Sequence, residues 1–78
     1  MNNNAILRKV RYTFDYNDDK IVSIFKLADV EVERSQVTKW LKKDDHEEFE
    51  NLNDKQLATF LNGFINLRRG KREGEQPS

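Results

Sequence analysis

The 78-residue sequence has no cysteine, a single histidine and only three glycines, and these scarcities exclude several kinds of chemistry. Without cysteine there are no disulfides, no thiolate metal sites and no cysteine nucleophile. With one histidine, only one residue of the chain could take part in imidazole catalysis. The glycines are too far apart for a phosphate-binding loop or a dinucleotide fingerprint. We therefore expect no enzymatic activity and no cofactor.

Long apolar runs are also missing from the chain. No stretch approaches the roughly 20 apolar residues that span a bilayer. The first four residues, Met-Asn-Asn-Asn, have neither the basic start nor the apolar run of a secretory signal. These features predict a cytoplasmic protein that does not bind membranes, and the length allows one small domain.

The net charge is zero, from 14 basic and 14 acidic residues, but the charges are unevenly distributed. Residues 1–17 have three basic and one acidic group (+2), and residues 55–78 have five basic and two acidic groups (+3). Residues 18–34 (three basic, five acidic) and 35–54 (three basic, six acidic) carry −2 and −3. Such asymmetry either steers partners or holds basic ends against an acidic middle. We favour the second interpretation because it requires no partner.

The chain is rich in helical periodicity, most clearly over residues 53–70. Apolar residues recur there at the three- and four-residue spacing of one helical face, which we expect to be buried: Leu57, Phe60, Leu61, Phe64 and Ile65. Asn53 with Gln56 predicts a capping box at the start, and Gly70 predicts the stop.

Similar patterns predict the other helices. The first helix covers residues 4–15 with Asn2 or Asn3 as its cap, and its buried stripe is Ile6, Leu7, Val10 and Phe14. Asn17 caps a second helix that is apolar nearly all round and therefore central. After an extended link at residues 30–33, Ser35 is expected to cap a third helix whose Val37, Trp40 and Leu41 face inward.

Residues 44–52 begin with Asp-Asp-His-Glu, which we interpret as a capping box that opens a short fourth helix. The alternative, a metal site at residues 44–48, is disfavoured because consecutive helical residues point in different directions. The prediction is thus an all-α, compact bundle of four to five short helices over residues 1–70. The polar residues 71–78 are expected to form a disordered tail or linker.

Several runs of sequence resemble the YehS-like family of bacterial proteins. They are residues 3–12 (NNAILRKVRY), 40–45 (WLKKDD), 60–65 (FLNGFI) and 69–71 (RGK), and the resemblance covers residues 2–72 in register. The family consists of small proteins of unknown function that typically carry two copies of one helical unit. The resemblance therefore implies a fold and no biochemistry.

One copy of that unit is present in this sequence, which ends in linker-like residues. Either it is the first half of a longer protein, or a single unit stands alone and exposes a surface that its sister copy would cover. Pairing of two chains would replace the sister copy. The predicted function is accordingly a non-enzymatic protein-interaction module that self-associates or docks to a tandem copy.

The alternative function is nucleic-acid binding by a helix-turn-helix-like pair. Lys39, Lys42 and Lys43, together with Gln36, would then face the major groove from the third helix. Two features oppose this interpretation. The link before that helix is longer than the usual three- or four-residue turn, and acidic residues on both sides would repel phosphates.

The last predicted helix contains the other candidate interaction residues. Arg68 and Arg69 belong to a basic cluster that either contacts an acidic partner or phosphate, or simply suits a helix C-terminus. In a helix interior, a glycine such as Gly63 lowers helix stability by about 1 kcal/mol relative to alanine. It indicates either a close helix crossing, the commoner reason, or room for a ligand or partner. Asn62 beside it either hydrogen-bonds across that crossing or faces water.

Overall fold

A computed structural model describes residues 2–70 of the chain, which form four α-helices and no strand. The helices are α1 (Asn3–Thr13), α2 (Asp18–Lys26), α3 (Arg34–Trp40) and α4 (Asp54–Arg68). The all-α prediction is confirmed, with a count at the lower end of the predicted range. The predicted tail at residues 71–78 lies outside the described residues.

Three of the four helices begin at an asparagine whose side chain accepts a hydrogen bond from the backbone three residues later. Asn2 accepts from Ala5 N at 2.8 Å and Asn17 accepts from Lys20 N at 2.8 Å. Asn53 accepts from Gln56 N at 2.7 Å, and the Gln56 side chain accepts from Asn53 N at 3.0 Å. These bonds satisfy donors that have no partner in the first helical turn. The predicted caps of α1, α2 and α4 are confirmed.

The Asn17 cap predicts a measurable effect on stability because α2 is the central helix. We expect Asn17→Ala to lower the free energy of unfolding by about 1 kcal/mol, the usual contribution of an N-cap side chain. Asn17→Asp keeps an acceptor at the same place and serves as the matched control. Urea denaturation followed by circular dichroism measures both variants. Equal losses in the two would contradict a capping role.

The core forms where α2 packs against both α3 and α4, which confirms its predicted central position. Eight apolar side chains form one buried cluster: Leu7, Ile21, Ile24, Phe25, Val37, Trp40, Leu52 and Phe60. The Phe25 ring lies at its centre, 5.4 Å from the Trp40 ring and 5.6 Å from the Phe60 ring between centroids. Aromatic pairs at this separation add to the stabilisation from burial.

The predicted helix at residues 44–52 is wrong, because residues 41–53 form turns and irregular chain. The side chain of the fully buried Asn4 explains the difference. Its amide nitrogen donates to the carbonyl oxygens of Trp40 (2.9 Å) and Glu50 (2.8 Å), and its oxygen accepts from Leu52 N (2.9 Å). The backbone near both ends of this segment is therefore bonded to α1, while its middle forms two short turns in which His46 N donates to Lys43 O at 2.9 Å and Phe49 N donates to His46 O at 3.0 Å. Its crowded acidic side chains also disfavour a helix.

Two predicted details of the other helices also need correction. Glu33 is the N-cap residue of α3, without a side-chain capping bond, so Ser35 lies inside the helix and not at its cap. α1 ends at Thr13, and Asp15 adopts a left-handed backbone with φ of 55°. That turn leaves Phe14 exposed, although the periodicity predicted it to be buried.

Candidate protein-interaction surface

Gly63 lies at the point where α4 crosses α2, and it is buried. A Cβ atom built on Gly63 would overlap the carbonyl oxygen of Ile24 and lie 2.8 Å from its carbonyl carbon. The missing side chain therefore permits a close approach of the two backbones. Of the two interpretations of this glycine, helix packing is confirmed.

Asn66, one turn after Gly63, fixes the same crossing. Its side-chain nitrogen donates to the carbonyl oxygen of Leu27 at 2.9 Å, where α2 has ended and its carbonyls lack helical partners. Gly63 and Asn66 lie three residues apart and so share a face. Together they determine which face of α4 is turned towards α2.

The opposite face of α4 is exposed, and it carries two of the apolar residues that the periodicity predicted to be buried. Leu61 is 37% exposed and Ile65 is 48% exposed, while Phe60 on the packed side is fully buried. At 100° per residue, Leu61 and Ile65 lie almost opposite Gly63. The close approach at Gly63 selects the packed side, so these two side chains point outward.

We call this exposed side the outer face of α4 and define it by Ala58, Leu61, Asn62, Ile65 and Arg69. A further apolar side chain, Phe14 at the C-cap of α1, is 40% exposed. The Phe14 ring lies 5.2 Å from the Phe64 ring, and the Arg68 guanidinium lies over Phe14 at 5.9 Å from its centroid. Leu61 and Ile65, about one helical turn apart, thus form an apolar patch on the outer face, and Arg68 and Arg69 lie at the C-terminal end of the helix.

The predicted interaction residues of the last helix are thus divided between its two sides. Asn62 and Arg69 are exposed, whereas Gly63 is buried in the crossing and unavailable to a partner. Arg68 is exposed, and its guanidinium lies over the Phe14 ring. Sequence reasoning missed Leu61, Ile65 and Phe14 as surface residues. The available signal was Gly63, whose small size marks the packed side and therefore assigns the other side to solvent.

The lysines predicted for nucleic-acid binding do not form one free basic face. Lys39 lies 3.9 Å from the Glu50 carboxylate, and Gln36 of the same helix also donates to that carboxylate. The irregular segment thus places an acidic group against α3. Lys43 is exposed, and Lys42 is partly buried with its backbone carbonyl accepting a bond from Arg8 at 2.8 Å.

Ion pairs join the basic α1 to the acidic middle of the chain. Arg8 lies 3.7 Å from Asp44, and Arg11 lies 3.8 Å from Asp18. For this end of the chain, the interpretation that basic ends pack against an acidic middle is confirmed. Each pair is partly exposed, so its contribution to stability is about 0–1 kcal/mol.

The acidic segment has local bonds instead of a converging ligand set. His46 Nδ1 accepts a hydrogen bond from Glu48 N at 3.0 Å. Within residues 2–70, no three histidine, aspartate or glutamate side chains are grouped so as to hold a metal ion.

An open groove of about 410 Å³ lies between α2 and the link to α3, lined by Val22, Lys26, Glu31, Val32 and Glu33. No helix among the described residues has the length and apolar character needed to cross a membrane.

The fold and this surface define a small all-helical domain with an exposed apolar side on its last described helix. Residues 3–70 match the model of a family described as "Protein of unknown function (DUF1456)", and the chain belongs to that family. It is 44% identical over 73 residues to "Uncharacterized protein YehS" of Escherichia coli (strain K12). The resemblance to YehS-like proteins is thereby confirmed.

The match to YehS covers 94% of this chain and 47% of that protein, so the chain spans about half the length of its relative. The uncovered half of YehS is long enough for a second unit of this size. No solved structure matches this chain significantly.

Proposed function

We propose that this protein is a non-enzymatic protein-interaction module whose outer face of α4 docks a second copy of the same helical unit. The observation that carries the proposal is the side-by-side exposure of Leu61 and Ile65 on a helix whose opposite side is fixed against α2. The helix cannot rotate to bury these side chains because Gly63 and Asn66 hold it in place. Neighbouring apolar side chains left exposed on a small domain are typical of an interaction site.

The second copy is the occupant that the comparisons favour. YehS is about twice as long as the matched region, which leaves room for a further unit that would cover this face. A surface that packs against a similar unit within one chain also suits pairing between two chains. Its charged ends and apolar middle are compatible with a self-complementary contact. The ion pair between Lys39 and Glu50 gives nucleic-acid binding less support.

Sedimentation equilibrium over a wide range of protein concentrations tests the proposal. We expect a reversible, concentration-dependent dimer in the unmodified chain. The double substitution Leu61→Gln/Ile65→Gln should weaken dimerisation at least about tenfold, because it removes roughly 1.4 kcal/mol or more of apolar burial from the interface. The isolated unit should remain folded, since both side chains are exposed in it.

Lys43→Gln is the matched control, because Lys43 is an exposed residue of the irregular segment outside α4 and glutamine is again the new residue. It should leave the dimerisation constant within a factor of about two, as expected for a charge outside the apolar patch. A chain that stays monomeric at the highest concentration would contradict self-association. If the control and the double variant weakened dimerisation equally, the interface would not depend on Leu61 and Ile65.

A further inference from the structure

We infer that the two copies pair through antiparallel α4 helices with Leu61 of each copy opposite Ile65 of the other. This inference rests on the proposed function and adds the orientation and register of the contact. Ala58, Leu61 and Ile65 follow one another at spacings of three and four residues along the exposed side. That spacing is the seam through which two helices pack side by side.

The charges at the two ends of α4 favour the antiparallel orientation. The first turn contains Asp54 beside the exposed Lys55 and is neutral overall, whereas Arg68 and Arg69 occupy the last turn and the C-cap. A parallel pair would bring four arginines together at one end. An antiparallel pair instead brings each basic end to the neutral first turn of the other helix, where Asp54 lies, and the two helix dipoles are then also opposed favourably.

The positions of the apolar residues select the register. With Leu61 opposite Ile65, a two-fold axis passes beside residue 63 and generates two identical apolar pairs. The small Ala58 of one copy then lies opposite Arg68 and Arg69 of the other copy, whose alkyl stems cover it. Each guanidinium extends about one further helical turn, 5.4 Å, towards Asp54 of the first copy. Such an isologous contact closes on itself and leaves no copy of the surface unpaired.

The size of the contact predicts its strength. α4 has 15 residues and is therefore about 22 Å long. A single helix pair of this length, with Phe14 at its edge, buries less than the roughly 800 Å² per partner of a standard interface. We therefore expect a weak dimer that exchanges rapidly, with a dissociation constant in the micromolar range or above.

The absence of cysteine makes thiol cross-linking a clean test, because every introduced cysteine is the only one in its chain. The variants are Ala58→Cys, Asn62→Cys and Arg69→Cys, all at exposed positions of the outer face. They are treated with a short bis-maleimide cross-linker, singly and in mixtures, at a concentration where the unmodified chain is dimeric. Covalent dimers are measured by denaturing electrophoresis.

In the antiparallel register, two Ala58 positions lie about 15 Å apart along the helix axis, whereas Ala58 and Arg69 of opposite copies lie nearly level. We expect a mixture of Ala58→Cys with Arg69→Cys to cross-link about tenfold faster than either variant alone, because only the mixed pair is held in proximity. Asn62→Cys lies next to the axis and should cross-link by itself.

Different results distinguish failure of the inference from failure of the proposed function. Rapid cross-linking of Ala58→Cys alone, with a slow mixed pair, would show a parallel dimer and overturn the inference while retaining the outer face as the interface. A dimer in sedimentation without Asn62→Cys cross-linking would place the contact elsewhere and overturn both. A monomer at all concentrations would remove the proposed function itself.

Discussion

Asn4→Ala is expected to lower the free energy of unfolding by about 3 kcal/mol, the largest effect we predict for a polar residue in this chain. The substitution removes three hydrogen bonds and leaves a buried N–H of Leu52 and two carbonyl groups without their partner. Each buried polar group left unpaired costs about 1–3 kcal/mol, and water that enters the space recovers part of that cost. Urea denaturation followed by the Trp40 fluorescence measures the loss.

The matched control is Asn51→Ala, which makes the same chemical change at an exposed asparagine of the segment that Asn4 holds. It should change stability by no more than about 0.5 kcal/mol, as is usual for surface positions. Amide hydrogen exchange provides a second readout, because Leu52 N should lose protection selectively in Asn4→Ala. Similar losses of stability in both variants would contradict the role assigned to Asn4.

Gly63→Ala is expected to destabilise the domain by about 2 kcal/mol, although alanine is the better helix former by about 1 kcal/mol. The added Cβ would overlap the carbonyl oxygen of Ile24, which is backbone and cannot rotate away. α4 would have to move off α2 and would loosen the packing around Phe60. Thermal and urea denaturation measure the sign of the change, which is the decisive quantity.

Asn62→Ala is the matched control for this prediction, because it introduces the same residue at the adjacent, exposed position. There the helix propensity of alanine acts alone, so a stabilisation of a few tenths of a kcal/mol is expected. If Gly63→Ala were also stabilising, α2 and α4 would not approach as closely as we describe. A domain of this size has only about 5 kcal/mol of stability, so a loss of 2 kcal/mol is easily measured.

Local sequence patterns predicted the helices well where capping and periodicity act within a few residues. Asn2, Asn17 and Asn53 begin helices because their side chains bond to backbone three residues away, a geometry set by the local chain. The segment at residues 44–52 contained a similar local signal and was predicted incorrectly. There the decisive bonds come from Asn4, more than 40 residues away in sequence, and no local pattern encodes them.

The distinction between local patterns and contacts distant in sequence also applies to the candidate surface. The apolar spacing in α4 correctly predicted an amphipathic helix. The apolar residues cover more of the helix circumference than one neighbouring helix can bury: Leu57, Phe60, Leu61, Phe64 and Ile65. Which part became exposed depended on the contact between Gly63 and Ile24. Phe14 similarly reached the surface because α1 ended early and the chain turned at Asp15.

The sequence by itself determined the all-α class, the starts of three helices, the central place of α2 and the membership of a family whose function is unknown. Only the tertiary structure decided how α4 is rotated about its own axis, and therefore that Leu61 and Ile65 face outward. The physical reason is that periodicity fixes which residues share a face. The choice of face to bury depends on how closely another backbone can approach, and at Gly63 that approach is made by α2.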